Sequence, residues 1–214
     1  TAPTCSVTGV TETNANAYSS GTSFWYNTAG ADNFIVNVTA SDGGGSGIQK
    51  VSFPVTTSAG GDDTTSPYTF TYSWDAADVY AGLTTLTAYD NATPSLTGTC
   101  TLTITKDTTA PTTGSISYLN GFTNNPATNN ITLSNGTDNV GGSGIGTVQL
   151  ERQSATMTVG VCGAYGAFGV IFTNPGSPYT DSTVTDGNCY KYRLVVSDNV
   201  SNQATFTSTD ELKV

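Results

Sequence analysis

Hydrophobic and polar side chains alternate along several segments of this chain. In YTFTYSW (residues 68–74) four aromatic residues alternate with Thr and Ser, and FIVNVTA (residues 34–40) shows the same period. In YKYRLVV (residues 190–196), Lys191 and Arg193 lie opposite a row of apolar side chains. A period of two places side chains alternately on the two faces of a strand. The pattern therefore predicts sheets with one buried face and one face in water, and no helix.

The segments between these strands are rich in turn-forming residues. Thr, Val, Ser, Gly, Asn and Asp dominate the chain, whereas helix-forming Leu, Glu, Lys and Arg are scarce. Each half of the sequence contains roughly seven short strands separated by Gly, Asn, Asp and Pro turns, which is typical of a β-sandwich.

Matching landmarks occur in the same order in the two halves of the chain. TAP opens the sequence and returns within KDTTAP (residues 106–111). SDGGGSGI (41–48) corresponds to TDNVGGSGI (137–145), and each is followed by SPY and then by an Asp-Asn turn. A period of about a hundred residues indicates a duplicated domain. We therefore predict two units, residues 1–106 and 107–214.

The charge of the chain excludes one class of partner. Six basic and 16 acidic residues give a net charge of −10, which would repel a phosphate backbone, so no nucleic-acid binding is expected. Cations, neutral glycans and other proteins stay open as partners. No apolar run is long enough to span a bilayer, and we expect no direct membrane insertion.

The residue types also restrict catalysis. The chain contains no His, which excludes nucleophilic catalysis of the Ser-His-Asp or Cys-His kind. A pair of acids for glycoside hydrolysis is compatible with the composition. The acids nevertheless fall in repeated turn positions rather than in a cleft, so we expect no catalytic residue and no enzyme activity.

Four segments carry a resemblance to a known family. DTTAP, SDGGGSGIQKVSF, SPYTFTYSW and GNCYKYRLVVSDNVSNQAT resemble the bacterial immunoglobulin-like repeats of large secreted and surface proteins of the adhesin type. The resemblance covers nearly the whole chain and implies an all-β fold of two tandem immunoglobulin-like β-sandwiches. It also implies an extracellular or cell-surface location and a load-bearing or spacing role beside flanking repeats or neighbouring copies.

One segment departs from that family pattern. TETNANAYSSGTSFWYN (residues 11–27) is long for the first unit and contains the aromatic trio Phe24, Trp25 and Tyr26. One interpretation is an extra edge strand that packs on the core. The other is a ligand-binding platform on which sugar rings stack.

The four cysteines allow three pairings. In a sandwich of this type the first and last strands of a unit lie side by side, and Cys5 and Cys100 point inward at neighbouring positions on them. We therefore predict a Cys5–Cys100 disulfide, and a Cys162–Cys189 disulfide would then connect the VCGAYGAFG loop to the start of CYKYRLVV. Two disulfides indicate an oxidising compartment. Without His or a CxxC pair, no zinc site is expected.

Acidic residues gather at the predicted unit junctions. In a sandwich, the loop before SGI, the loop at the Asp-Asn turn and the entering linker reach the same end. This would bring together Asp107, Asp138 and Asp198 in the second unit, and Asp42 and Asp90 in the first. Carboxylate oxygens suit Ca²⁺, so one interpretation is a calcium site that stiffens the junction. The other is turn chemistry, in which Asp and Asn satisfy their own backbone without an ion.

Three functional hypotheses follow from the sequence. The first is a structural and spacing module of an extracellular protein, such as an adhesin shaft or a filament subunit, clipped by disulfides. The second is a binding module that contacts a cell-surface glycan or protein. The third is a pair of accessory domains of a secreted enzyme. An exposed edge strand could also accept a strand from a neighbouring molecule, although no donor segment is evident in the sequence.

Overall fold

The computed structural model describes residues 1–125 and 129–214. The chain divides into two compact units. The first comprises Thr1–Thr108 with the short segment Gly141–Ser143, and the second comprises Thr109–Val140 and Gly144–Val214. Neither unit contains a helix within the described residues, so none there could span a membrane.

The first unit is an immunoglobulin-like β-sandwich of two facing sheets. One sheet has the order β1-β4-β7, and the other has the order β2-β3-β9-β8-β5-β6. The strands are β1 (Thr4–Glu12), β2 (Ala17–Ser20), β3 (Ser23–Tyr26), β4 (Asp32–Ser41), β5 (Ile48–Phe53), β6 (Gly61–Asp63), β7 (Tyr68–Trp74), β8 (Gly82–Asp90) and β9 (Thr97–Lys106).

The second unit repeats this two-layer arrangement. Its smaller sheet has the order β10-β12-β16. In the larger sheet the order is β11-β19-β17-β13-β14, with β15 paired to β13 and β18 paired to β17. The strands are β10 (Ser115–Ser117), β11 (Gly121–Phe122), β12 (Asn130–Ser134), β13 (Ile145–Thr158), β14 (Val161–Cys162), β15 (Gly169–Thr173), β16 (Tyr179–Thr180), β17 (Asn188–Asp198), β18 (Gln203–Thr207) and β19 (Leu212–Lys213).

The burial pattern confirms the predicted alternation. In β7, Tyr68, Tyr72 and Trp74 are buried while the Thr and Ser residues between them are exposed. The same holds in β17, where Tyr190, Tyr192 and Leu194 are buried between half-buried charged residues. These inner faces form one apolar core in each unit.

The segment before β4 forms a hairpin, β2–β3, at the edge of the larger sheet of the first unit. The strand β3 lies between β2 and the last strand β9, with which it pairs in parallel. The aromatic trio is therefore in an interior strand, and β2 is the edge. In the second unit β11 pairs in parallel with β19 in the same way.

The first and last strands of the first unit belong to different sheets. The expectation that β1 and β9 lie side by side is wrong as a statement of strand pairing, because β1 pairs with β4 and β9 pairs with β3 and β8. The two strands nevertheless meet across the sandwich, since Cys5 and Cys100 form a disulfide with their Cα atoms 5.2 Å apart. The bond therefore connects the two layers.

Trp74 organises the aromatic core of the first unit. Its ring lies 6.1 Å from the Phe24 ring and 5.7 Å from the Tyr26 ring. Its indole N–H donates to the carbonyl oxygens of Asn27 (3.2 Å) and Gly30 (2.9 Å), which fixes the turn between β3 and β4. This side chain thus joins core packing to the path of the inserted hairpin.

We expect Trp74→Phe to lower the free energy of unfolding of the first unit by roughly 2–3 kcal/mol, because ring volume is lost and two carbonyls lose their donor. Both tryptophans of the chain lie in this unit, so the fluorescence of the remaining Trp25 follows its urea unfolding. The half-exposed Trp25 supplies the matched control, Trp25→Phe, for which we expect a loss of about 1 kcal/mol or less. Equal losses in the two variants would contradict this assignment.

Candidate functional site

The loop between β4 and β5 wraps around the carboxylate of Asp42. Asp42 is buried, and its Oδ2 accepts hydrogen bonds from the amide of Gly47 (3.0 Å) and from the hydroxyl of Ser46 (3.5 Å). The chain passes so close that a Cβ on Gly45 would collide with the carboxylate. The glycines of SDGGGSG thus permit the tight wrap that the sequence places here.

The loop after β8 is built around a second buried carboxylate. Asp90 Oδ1 accepts from the amides of Leu96 (2.8 Å) and Ala92 (3.2 Å). The next residue, Asn91, connects this loop to the first one, since its backbone amide donates to the carbonyl of Gly47 (3.0 Å). The loops of Asp42 and Asp90 are therefore held together at one end of the unit.

The second unit uses the same hydrogen bonds. Asp138 Oδ2 accepts from the amide of Gly144 (2.7 Å), as Asp42 does from Gly47. Asn199 then donates its amide to the carbonyl of Gly144 (3.0 Å), as Asn91 does to Gly47. Gly144 and Gly47 also share a positive φ, of 83° and 85°. The matched landmarks of the sequence therefore form matched loops.

Asp198 stabilises the turn that follows β17. Its Oδ1 accepts from the amides of Val200 (2.9 Å) and Asn202 (2.8 Å), and its Oδ2 accepts from the side-chain amide of Asn202 (2.7 Å). Asp107, in the first unit, is also buried and accepts from the amide of Ser143 (2.8 Å). Each of the five predicted acids thus serves as an acceptor for backbone N–H groups.

These contacts define what the carboxylates can do. A buried amide without an acceptor is costly, so the hydrogen bonds alone account for an Asp at each position. Carboxylate oxygens are also the ligands that a hard cation such as Ca²⁺ prefers. Calcium binding by these carboxylates stays a prediction.

The aromatic trio is divided between the core and the surface. Phe24 and Tyr26 are fully buried, and the Phe24 ring stacks at 4.1 Å on that of Phe34. They cannot stack on a sugar, so their assignment to a ligand-binding platform is wrong, and the core-packing interpretation applies to them. Trp25 alone points outward, with its ring 5.7 Å from that of Tyr18 and its indole N–H bonded to Gly141 O (2.9 Å). The two-residue period of a strand places Trp25 on the opposite face from Phe24 and Tyr26, so the sequence pattern could have distinguished Trp25 from the other two.

All four cysteines are paired as the sequence predicts. Besides Cys5–Cys100, the structure joins Cys162 to Cys189 across 27 residues, with no free thiol. Glu211 lies close to the second pair, with its Oε1 3.0 Å from the Cys162 sulfur. Because these sulfurs are bonded to each other, they are not available as thiolate ligands for a metal.

A buried polar cluster in the second unit was not predicted. Asp181 is 1% exposed, and its Oδ2 accepts from Arg152 (2.7 Å) and from the Tyr192 hydroxyl (3.0 Å). Tyr192 in turn accepts from the side-chain amide of Asn129 (3.0 Å). This cluster was hard to predict from the sequence, because Asp181 follows SPYT in a segment that is typical of an ordinary turn.

The environment of Asp181 shifts two pKa values. Burial acts to raise the pKa of the Asp181 carboxyl, but hydrogen bonds from Thr183 and Arg152 outweigh burial and hold it below its usual range. Burial, together with the neighbouring Asp181 charge, raises the pKa of the Tyr192 hydroxyl. Every oxygen of the carboxylate is engaged by a neighbour, which indicates a structural rather than a catalytic acid.

A surface pocket of about 720 Å³ lies elsewhere in the second unit. It is lined by Phe122, Thr123, Asn124, Met157, Asp186 and Val214. Asp186 is the single acid among these lining residues, so the described part of the pocket shows no pair of facing carboxylates of the kind that glycoside hydrolysis needs.

Comparisons with known proteins find no family model and no curated protein that matches. Among solved structures, the chain is similar to fibronectin(III)-like modules of CbhA from Clostridium thermocellum, with 14% identity over 89% of this chain and 88% of that one and a TM-score of 0.38. It is also similar to three N-terminal domains of the outer capsid protein Hoc of bacteriophage RB49 (8% identity, 99% and 69% covered, TM-score 0.40). A third is mouse clustered PcdhgC3 EC1-3 (13% identity, 99% and 68% covered, TM-score 0.28). The sandwich fold follows from the strand order of the two units.

We expect Asp181→Asn to destabilise the second unit by roughly 2–4 kcal/mol near neutral pH, because it weakens a buried ion pair. The folded-state pKa of Asp181 is depressed, so its contribution is present above the unfolded-state pKa of about 3.9 and is lost as pH falls through the folded-state pKa. The difference between variant and wild type should therefore shrink toward about pH 3. Urea unfolding followed by NMR signals of β17 at both pH values measures it.

The exposed Asp186 in the same segment provides the control, since Asp186→Asn should change stability little at either pH. A pH-independent gap for Asp181→Asn would contradict the charged role assigned to Asp181.

Proposed function

We propose that this chain is a non-catalytic structural module of an extracellular or cell-surface protein, in which two sandwiches act as a spacer. The observation that carries the proposal is the Cys5–Cys100 disulfide, which links the first and last strands of the first unit across its two sheets. A spacer has to keep its length under load, and a covalent bond between these strands serves that need.

The position of this disulfide decides how force would pass through the first unit. Pulling on both ends of the unit acts on β1 and β9, which contain the two cysteines. The bond takes the load directly, and the intervening residues are not extended. It also closes a loop of 95 residues, for which chain entropy gives about 4–5 kcal/mol of stabilisation.

The disulfides also support an extracellular location. Such bonds persist in oxidising compartments and are rare in the cytosol. The net charge of −10 keeps the chain soluble and directs the proposed partners away from nucleic acid, toward flanking repeats or neighbouring copies. The buried acids accept hydrogen bonds from backbone amides, which supports a structural rather than a catalytic role.

Calcium binding is a separable part of the proposal. The acids concerned are Asp107, Asp138 and Asp198, together with Asp42 and Asp90. Oxygen-rich loops of extracellular modules bind Ca²⁺ weakly, with Kd on the order of 10⁻⁴–10⁻³ M. The backbone hydrogen bonds already hold each carboxylate in place, so an ion would stiffen loops that are formed without it.

Glycan binding is the second candidate function, and one observation favours it. The Trp25 and Tyr18 rings lie 5.7 Å apart on the outer face of the larger sheet of the first unit, and neither ring is fully buried. With Phe24 and Tyr26 in the core, this pair is what remains of the proposed platform. The indole N–H of Trp25 already donates to the carbonyl oxygen of Gly141. This bond favours packing within the protein, rather than contact with a sugar, as the role of Trp25.

In single-molecule stretching, we expect the Cys5–Cys100 disulfide to limit how far the first unit extends when it unfolds. When the first unit unfolds, reduction or Cys5→Ser/Cys100→Ser should lengthen the extension step by about 320 Å, because 95 residues are released at roughly 3.4 Å each. The matched control, Cys162→Ser/Cys189→Ser, should lengthen only the step of the second unit, by about 90 Å for 27 residues.

The same measurement tests the spacer role. Under sustained force the oxidised chain should keep its length far longer than the Cys5→Ser/Cys100→Ser variant. Equal lifetimes would show that the disulfide does not preserve the length of the first unit under force. The spacer proposal would then lose its main support.

We expect Ca²⁺ at ten times its Kd to stabilise the wild-type chain by about 1.4 kcal/mol, which raises the thermal midpoint by a few degrees. Asp138→Asn should reduce both the calorimetric heat of binding and this shift, whereas the exposed Asp186→Asn control should retain them in full. No heat at millimolar Ca²⁺, with equal midpoints in Ca²⁺ and in chelator, would leave turn chemistry as the sole role of these acids.

A further inference from the structure

The strand β15 presents an unpaired edge. It pairs only with β13, where Leu150 lies opposite Phe172 and Arg152 opposite Gly169. Within the described part of the chain, these ladder bonds are the only hydrogen bonds that Gly169–Thr173 forms. Its outer edge therefore displays backbone N–H and C=O groups, which form a template for another strand.

Side-chain oxygens occupy backbone amides on the edges of two other strands, β7 and β12. On β7 the amide of Thr69 donates to Asp63 Oδ2 (2.7 Å), and that of Ser73 donates to Ser58 Oγ (3.1 Å). On β12, beyond the end of β16, Leu133 donates its amide to Ser177 Oγ (2.9 Å). Such acceptors block the addition of a strand, and β15 has none.

The position of β15 is fixed before any partner arrives. At its end, Asn174 donates its amide to the Val148 carbonyl (2.7 Å) and accepts from the Val148 amide at its Oδ1 (2.9 Å). Ile171 packs against the core. A held strand loses little conformational entropy when it pairs, which favours association.

Two side chains of β15, Val170 and Phe172, are apolar and exposed. Val170 is 50% exposed and Phe172 is 47% exposed, and the Phe172 ring lies 5.1 Å from that of Tyr179. A Cβ built on Gly169 would meet nothing within 4 Å, so the start of the strand is open. An exposed apolar edge strand without a charge is what proteins avoid unless it pairs with something.

The distribution of charge indicates that the strand pairing with β15 comes from a second copy of this chain. The chain carries −10, yet the whole segment 153–180 contains no Asp, Glu, Lys or Arg. On the neighbouring β13, Glu151 is paired with Arg193, and Arg152 is paired with Asp181. Two copies of this acidic chain repel each other over much of their surface, but along this neutral segment they can approach.

We propose that β15 is a self-association surface, at which two copies of the chain pair antiparallel through Gly169–Thr173. Antiparallel pairing of a strand with itself is symmetric, so each copy supplies the same apolar residues and the same free backbone groups. This goes beyond the spacer role and stands on the second unit alone. A contact of five residues is small, so the pairing is weak and depends on concentration.

The test is sedimentation of the intact, disulfide-bonded 214-residue chain over a range of concentrations. We expect the wild type to pass from monomer to dimer, and Val170→Lys to shift the dissociation constant at least tenfold toward monomer, since it places two like charges at the pair. Leu83→Lys is the matched control, because Leu83 is 66% exposed and lies on β8 of the first unit, outside the proposed contact. It makes the same change in charge and should leave the dimer intact.

Hydrogen exchange locates the contact. Amides of residues 169–173 should gain protection as the concentration of wild type rises, and they should not do so in Val170→Lys. Thr173→Lys, also at an exposed position, serves as the second variant if Val170→Lys shifts the thermal midpoint.

Three outcomes would overturn the proposal. They are a wild type that stays monomeric at millimolar concentration, a dimer that Val170→Lys and Thr173→Lys leave unchanged, and a monomer that instead binds an added apolar peptide at residues 169–173. The last would assign this edge to a strand of another protein. None of them affects the length-limit measurement on Cys5–Cys100, so the spacer proposal stands or falls separately.

Discussion

Contact between the inner faces of two sheets is the interaction on which each unit depends. The alternating apolar residues of β4 and β7 meet those of β8 and β9, and burial of these side chains is the main source of stability. The cross-sheet disulfide and the indole N–H bonds of Trp74 act on layers that are already in contact. They fix where the layers touch and how the inserted hairpin enters the sandwich.

The loops at one end of each unit follow from the same constraint. A sheet that buries one face has to turn the chain within a few residues, and each turn leaves backbone amides that need acceptors. Asp42 and Asp138 meet this need at equivalent places, and Asn91 and Asn199 then tie the second loop to the first. The acidic character of the molecule is partly a by-product of this turn chemistry, whatever else the carboxylates bind.

Sequence patterns predicted the strands that are long enough to show a period. FIVNVTA and YTFTYSW lie in β4 and β7, and their inward residues are the buried ones. Shorter strands such as β14 and β16 have only two residues, which is too few for a period to show. The hairpin β2–β3 was seen only as an unusual segment, because pairing of β3 with β9 links residues about eighty positions apart.

The candidate sites were predictable to different degrees. The cysteine pairing was predicted correctly from strand positions, although the two strands meet across the layers and not within one sheet. Asp181 was missed because its partners, Arg152 and Tyr192, come from strands that only the fold brings together. The unpaired edge of β15 was not predicted, because a strand edge is exposed only where the sheet provides no neighbouring strand, and the sequence pattern does not show which strands are neighbours.

The wrap around Asp42 restricts how this protein can change over evolution. Gly45 has no room for a side chain, and Gly47 has a positive φ that side chains rarely adopt, so drift in this loop is confined to other positions. Among related chains, an invariant glycine pattern here would record the path of the backbone. It should not be taken by itself as the mark of a ligand.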